Sequence, residues 1–151
     1  MRNSRKIATC FASSFGIGFS PILPGTLGSA TGLLVYLFVS SSLLLYLLAL
    51  GILCGLGLFA SHLALQTTEE KDPGWIVMDE VVGMMISLFQ IPPRIPLLVI
   101  GFALFRFFDS VKVFPLNRLE TVKGEWGIFL DDIGAGVYTA LFLHLILKFA
   151  S

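Results

Sequence analysis

Five carboxylates in this chain stand where carboxylates are expensive. Asp79 and Glu80 sit side by side just before one apolar run, Asp131 and Asp132 just before another, and Asp109 lies within Phe107-Phe108-Asp109-Ser110-Val111, near the end of an apolar run. A helix cap needs one acid, and an acid in the first turn suits the positive end of the helix dipole. Two adjacent acids at each of two helix starts crowd negative charge, so something positive should compensate them. Asp109 has Arg106 three residues before it and Lys112 three after, the spacing of an internal ion pair. Ionisable residues at membrane depth are costly and tend to be functional or paired, and both readings can hold together. A hard divalent cation such as Mg²⁺ takes oxygen ligands, usually one or two carboxylates completed by water and substrate phosphate. Acids drawn from three helix ends would supply those ligands.

The segment 16–29 is rich in glycine and holds Pro24, Gly25, Thr26 and Ser29. Glycine lets several backbone N–H groups aim at one point, and a helix start with hydroxyls beside it is a ready anion site. The plainer alternative is that Pro24 and Gly25 break the chain and Thr26 caps the next helix. Lys112, Arg118 and Lys123 suit phosphate or anionic headgroups, and equally suit simple orientation of the chain in a membrane. His62 and His144 have no acid at helical spacing and read as packed or hydrogen-bonded histidines. Cys10 and Cys54 lie in apolar stretches without metal or redox spacing and read as packing residues. Trp75 and Trp126 occupy interface positions where indole is favoured.

The elements that must position these groups are membrane helices. Of 151 residues 56% are hydrophobic and 13% charged, the ten acids and ten bases cancel, and mean hydropathy is +0.88. That composition demands lipid and leaves no electrostatic footprint for nucleic acid. Apolar segments are expected at 27–39, 43–66, 79–91, 95–108 and 133–149. Ser40 to Ser42 mark a turn, residues 67–74 form a polar loop, and Pro92, Pro93 and Pro96 separate the arms of a hairpin. The basic start, Arg2, Arg5 and Lys6 before residues 7–19, has the form of a signal peptide or an interfacial helix. Diluted by serine and glycine and lacking a clean cleavage site, it reads better as the helix. The fold class is therefore all-α: a polytopic membrane bundle of about five hydrophobic helical segments with an N-terminal interfacial segment, in one domain, 1–151. With a cytoplasmic N-terminus, most lysines and arginines fall on the cytoplasmic side, and so do all five acids.

At these residues the chain resembles the phosphatidylglycerophosphatase A family. Four motifs carry the resemblance, in order and spacing: Gly-Phe-Ser-Pro-Ile-Leu-Pro-Gly-Thr-Leu-Gly-Ser at 18–29, Asp-Pro-Gly-Trp-Ile-Val-Met-Asp-Glu-Val-Val-Gly at 72–83, Phe-Arg-Phe-Phe-Asp-Ser-Val-Lys at 105–112, and Gly-Ile-Phe-Leu-Asp-Asp-Ile-Gly-Ala-Gly at 127–136. The resemblance implies an Mg²⁺-dependent phosphatase of the bacterial cytoplasmic membrane that converts phosphatidylglycerophosphate to phosphatidylglycerol. Its acidic positions fall on Asp79, Glu80, Asp109, Asp131 and Asp132. Two departures stand out: Val113-Phe114 where the family usually has Pro-Trp, and Glu125 where it usually has glycine.

The expected chemistry is metal-assisted attack of water on a phosphomonoester, with the five acids as catalytic and metal-holding groups. Pro24, Gly25, Thr26, Ser29, Arg106, Lys112 and Lys123 would face the substrate phosphate. The expected partners are phosphatidylglycerophosphate and anionic membrane lipid. The sequence gives no reading of oligomeric state. A cation-coupled transport or binding protein using the same acids is the competing class. It should stagger carboxylates through the membrane depth, which this sequence does not do.

Overall fold

The computed structural model describes residues 2–70, 73–111, 114, 118, 122 and 124–150, with backbone only at 2–4 and 150. The described elements are α1 (Arg2–Ala12), a 3₁₀ turn (Ile17–Phe19), α2 (Pro24–Val39), α3 (Leu43–Leu65), α4 (Met78–Ser87), α5 (Ile95–Val111) and α6 (Glu125–Ala150). Among the described residues there is no strand.

Local chemistry sets most of the boundaries. Pro24 occupies the first turn of α2, where its missing N–H costs nothing. Thr26 therefore lies inside that helix and is not its cap. Ser42 caps α3 by accepting from the Leu45 amide at 3.4 Å. α4 stops at Ser87, four residues short of the expected end, because Gln90 adopts a left-handed backbone (φ 56°) ahead of Pro92 and Pro93. Backbone carbonyls released inside an apolar bundle need donors. The Tyr46 hydroxyl donates to the Met85 carbonyl and the Tyr36 hydroxyl to that of Ile91. Both tyrosines are buried.

α4 is the centre of the bundle, sandwiched between α2 and α6. Its Val82, Met84 and Met85 are completely buried. The backbones meet closely where glycine permits it: a Cβ on Gly32 of α2 would lie 2.5 Å from the Val81 carbonyl oxygen, and one on Gly136 of α6 2.5 Å from that of Gly83. α1 packs on α3 through Ala8, Ala12, Ala60 and Ala64.

Two helices, α3 and α6, are long and apolar enough to cross a membrane; α2 is apolar but has only 16 residues. The five expected segments are all helical, with α4 and α5 also short of a full span. α3 leaves Leu44, Ile52 and Phe59 more than half exposed. So wide an apolar surface requires hydrocarbon around it. α6 begins at Glu125, eight residues before the expected start at 133. The polar residues there do not end the helix, because Asp131 and Asp132 point inward, where other acids meet them.

Candidate active site

The acids converge at one end of α4. Asp79 and Glu80 lie in its first turn, but the position before the helix is Val77, and no side chain caps it. Asp131 and Asp132 lie in the second turn of α6, too deep to cap anything. Capping thus explains neither pair. Asp79, Asp131 and Asp132 are all buried, Asp132 with only 3% exposure. Carboxylate oxygens of Asp79, Glu80 and Asp132 come within 4.8 Å of one another. They line a cavity of about 110 Å³ completed by Asp109, Asp131, Gly74, Ile76 and Ile128.

The electrostatics of this cavity call for a cation. Glu80 Oε2 and Asp132 Oδ1 are buried with no hydrogen-bond partner among the described residues. Buried carboxylate oxygens without partners cost several kcal/mol unless protonated or compensated. α4, at ten residues, is too short to span a membrane. Burial pushes the Glu80 carboxyl up to about 7, the Asp109 charge adds to this, and a hydrogen bond with Asp79 and the Arg106 guanidinium oppose it. Asp131 Oδ1 accepts from the Asp132 amide at 3.1 Å, which fixes one carboxylate at the cavity wall. A donor set made only of oxygens, with unpartnered atoms converging on a small cavity, fits a hard divalent cation.

Beside the acids stands a cationic and hydroxylic wall. Arg106 Nη1 is 2.9 Å from Asp109 Oδ2, the expected pair within α5, and it also donates to Ser29 Oγ at 3.3 Å. Ser29 Oγ in turn donates to the Gly25 carbonyl at 2.8 Å. A Cβ on Gly25 would fall 2.4 Å from Glu80 Oε1 and 3.3 Å from Arg106 Nη1. The glycine segment and the acids, 55 positions apart at Gly25 and Glu80, therefore meet at a single place. Pro24 and Thr26 flank Gly25 in the first turn of α2. Lys112 and Lys123 lie outside the described residues.

The local spacing gave no sign of one pairing. His62 Nδ1 lies 3.2 Å from Glu125 Oε1, tying the end of α3 to the start of α6, and His62 also contacts Gln66 Nε2 at 3.3 Å. The partner acid comes from another helix, so no periodicity within α3 points to it. The 3₁₀ turn is tied to the cavity wall as well: Phe19 stacks on Trp75 with ring centroids 5.5 Å apart.

Fold and site together define a class, an all-helical membrane protein with a buried, oxygen-only acidic cluster against a glycine-bearing helix start. The chain belongs to the phosphatidylglycerophosphatase A family, whose profile matches residues 10–147. It is 36% identical to the Escherichia coli phosphatidylglycerophosphatase A, across 89% of this chain and 80% of that one. It is also 36% identical to the Haemophilus influenzae protein of the same name, across 89% and 85%. A Bacteroides thetaiotaomicron protein provisionally named a phosphatidylinositol-3-phosphatase is 32% identical across 95% of both chains. No solved structure matches the chain.

Proposed function

We infer that this chain hydrolyses the terminal phosphomonoester of phosphatidylglycerophosphate, releasing phosphatidylglycerol and inorganic phosphate at the cytoplasmic face of a bacterial membrane. The observation that carries the reading is the convergence of Asp79, Glu80 and Asp132 on one buried cavity next to Gly25 and Arg106, in a chain of this family. Asp79, Glu80 and Asp132 would hold Mg²⁺, with Asp109 and Asp131 at its margin. Bound there, Mg²⁺ supplies charge neutralisation and Lewis-acid polarisation of a phosphoryl oxygen.

The remaining roles belong to the chain's own residues. Arg106, oriented by Asp109 and Ser29, neutralises charge growing on the equatorial phosphoryl oxygens, and the amides around Gly25 and Thr26 add fixed dipoles. Water forms the new P–O bond, the ester P–O bond breaks, and the glycerol oxygen leaves with the lipid and takes up a proton. Asp131 or Asp132 accepts the proton that the water loses. The lipid stays in the membrane throughout, so the product leaves sideways.

The name of the Bacteroides relative favours a second substrate, phosphatidylinositol 3-phosphate. It presents the same chemistry, a phosphomonoester on a lipid headgroup. Phosphate release by the purified protein in detergent distinguishes them, with phosphatidylglycerophosphate, phosphatidylinositol 3-phosphate and phosphatidic acid compared at matched concentrations. Phosphatidylglycerophosphate is expected to turn over fastest, chelation to stop the reaction and added Mg²⁺ to restore it. Faster release from the inositol lipid would move the substrate assignment. No release from any of them by helical, inserted protein would favour the transport reading.

A further inference from the structure

Next to the carboxylate cavity, a groove of about 410 Å³ opens on the side of the bundle. One wall is the outer face of α2, where Leu27, Ala30, Thr31 and Leu34 recur at helical spacing, and the other is the turn carrying Ile17 and Phe19. The Thr31 hydroxyl is spent on the Leu27 carbonyl at 2.9 Å, so this wall offers an occupant little but carbon.

The groove and the cavity share a partition. Phe19 stacks on Trp75, and a Cβ on Gly18 would fall 1.9 Å from the Trp75 carbonyl oxygen, so turn and loop are pressed together. The neighbours of Trp75, Gly74 and Ile76, line the carboxylate cavity on the other side. α2 serves both spaces. Gly25 meets Glu80 and Arg106, whereas Leu27 and Ala30, on another face of the same two turns, meet the groove. Phe15 and Leu23, which bracket the turn, hold left-handed backbones (φ 58° and 48°) and leave their side chains 72% and 66% exposed. Bulky residues avoid that conformation, and in water their exposure would add to the cost. Contact with hydrocarbon removes the exposure part of that cost.

We propose that this groove takes one acyl chain of the phosphatidylglycerophosphate substrate, so that Ala30, Thr31 and Leu34 select for long chains while the headgroup phosphate reaches Gly25 and Arg106. The proposal rests on the lipid phosphatase reading above and adds chain-length selectivity to it. An ordinary membrane lipid seated in the groove would not change selectivity between substrates.

The test is Ala30→Trp, which fills the groove from α2. Phosphate release is measured in mixed detergent micelles from dipalmitoyl and from dihexanoyl phosphatidylglycerophosphate at equal mole fraction. The kcat/KM ratio of long over short substrate is expected to fall about tenfold or more, the equivalent of lost contact for about two methylenes. An unchanged ratio, or an equal loss on both substrates, overturns the proposal. Should Ala30→Trp fail to insert, Leu34→Ala removes part of the wall and is expected to lower the same ratio by a smaller factor. An unchanged ratio there also overturns it. If the wild-type protein releases phosphate from neither lipid, the phosphatase reading itself falls, a result distinct from an unchanged ratio.

Discussion

Asp132 sits in α6 with 3% exposure and one carboxylate oxygen that lacks a hydrogen-bond partner, facing Asp79 and Glu80 across a small cavity. A group placed for stability would not be left this way. Asp132→Asn makes this buried group permanently neutral and keeps its shape. In chelator, where no cation fills the cavity, it should raise the melting temperature, as expected from about 1–3 kcal/mol less cost of burying or protonating the carboxyl. In Mg²⁺ the same variant should lose phosphate release by at least about a hundredfold, on the order of what one electrostatic contact in an active site contributes. Thermal melts with and without chelator, paired with turnover, check both halves. A destabilised, chelator-insensitive Asp132→Asn would make this carboxylate structural. Arg106→Lys probes the opposite wall: charge is kept, but the planar fork that reaches Asp109 and Ser29 together is lost. Its kcat/KM should fall about 10- to 100-fold with the melting temperature little changed. At this scale the sequence was informative about groups close in the chain. The paired acids were visible as neighbours, and Arg106 with Asp109 as a helical i, i+3 pair. Contacts between helices left no local trace, which is why His62 with Glu125 and Gly25 with Glu80 emerge only from the packing.

Helices in this bundle approach one another through glycines that are not interchangeable. On Gly32 of α2 an added methyl meets the Val81 backbone carbonyl at 2.5 Å, so α2 and α4 must move apart. Gly32→Ala should therefore destabilise by about 1–3 kcal/mol, read as a lower melting temperature in detergent. On Gly25 the nearest atom is Oε1 at the tip of the Glu80 side chain, which can swing away. Gly25→Ala should consequently fold and melt nearly as wild type while losing most of its turnover, because Glu80 is displaced from the cavity. Gly55 of α3 has nothing within 4 Å of such a methyl. Gly55→Ala should change stability by less than about 1 kcal/mol, in the stabilising direction, as helix propensity dictates. Equal melting temperatures for all three variants would remove the distinction between packing and positioning glycines. The sequence marked the helices themselves through apolar runs, Ser42 and the prolines. Its errors came from treating polarity as a boundary. An expected start at 133 takes the preceding acids as the boundary of α6, whereas tertiary burial of those acids allows the helix to start at Glu125.

For the whole molecule the open question is which way the bundle faces. The acids lie at one end of α4 and α6, with Glu69 and Glu70 exposed in the loop after α3 and Arg94 exposed in the turn after α4. Along α3, and along α6 beyond Asp132, there is no further acid. Charge is therefore segregated by end, and the lysine and arginine bias predicts that the acidic end is cytoplasmic. Single cysteines report this directly once Cys10 and Cys54 are replaced, since Cys10 is exposed. Glu69→Cys should react with a membrane-impermeant maleimide in inside-out vesicles and stay unlabelled in intact cells, and Ser41→Cys, exposed at the other end of α3, should do the reverse. The reverse pattern for both would turn the active site outward and overturn the cytoplasmic orientation. Labelling of both residues from one side would mean that α3 does not cross the membrane, against its length and apolar composition.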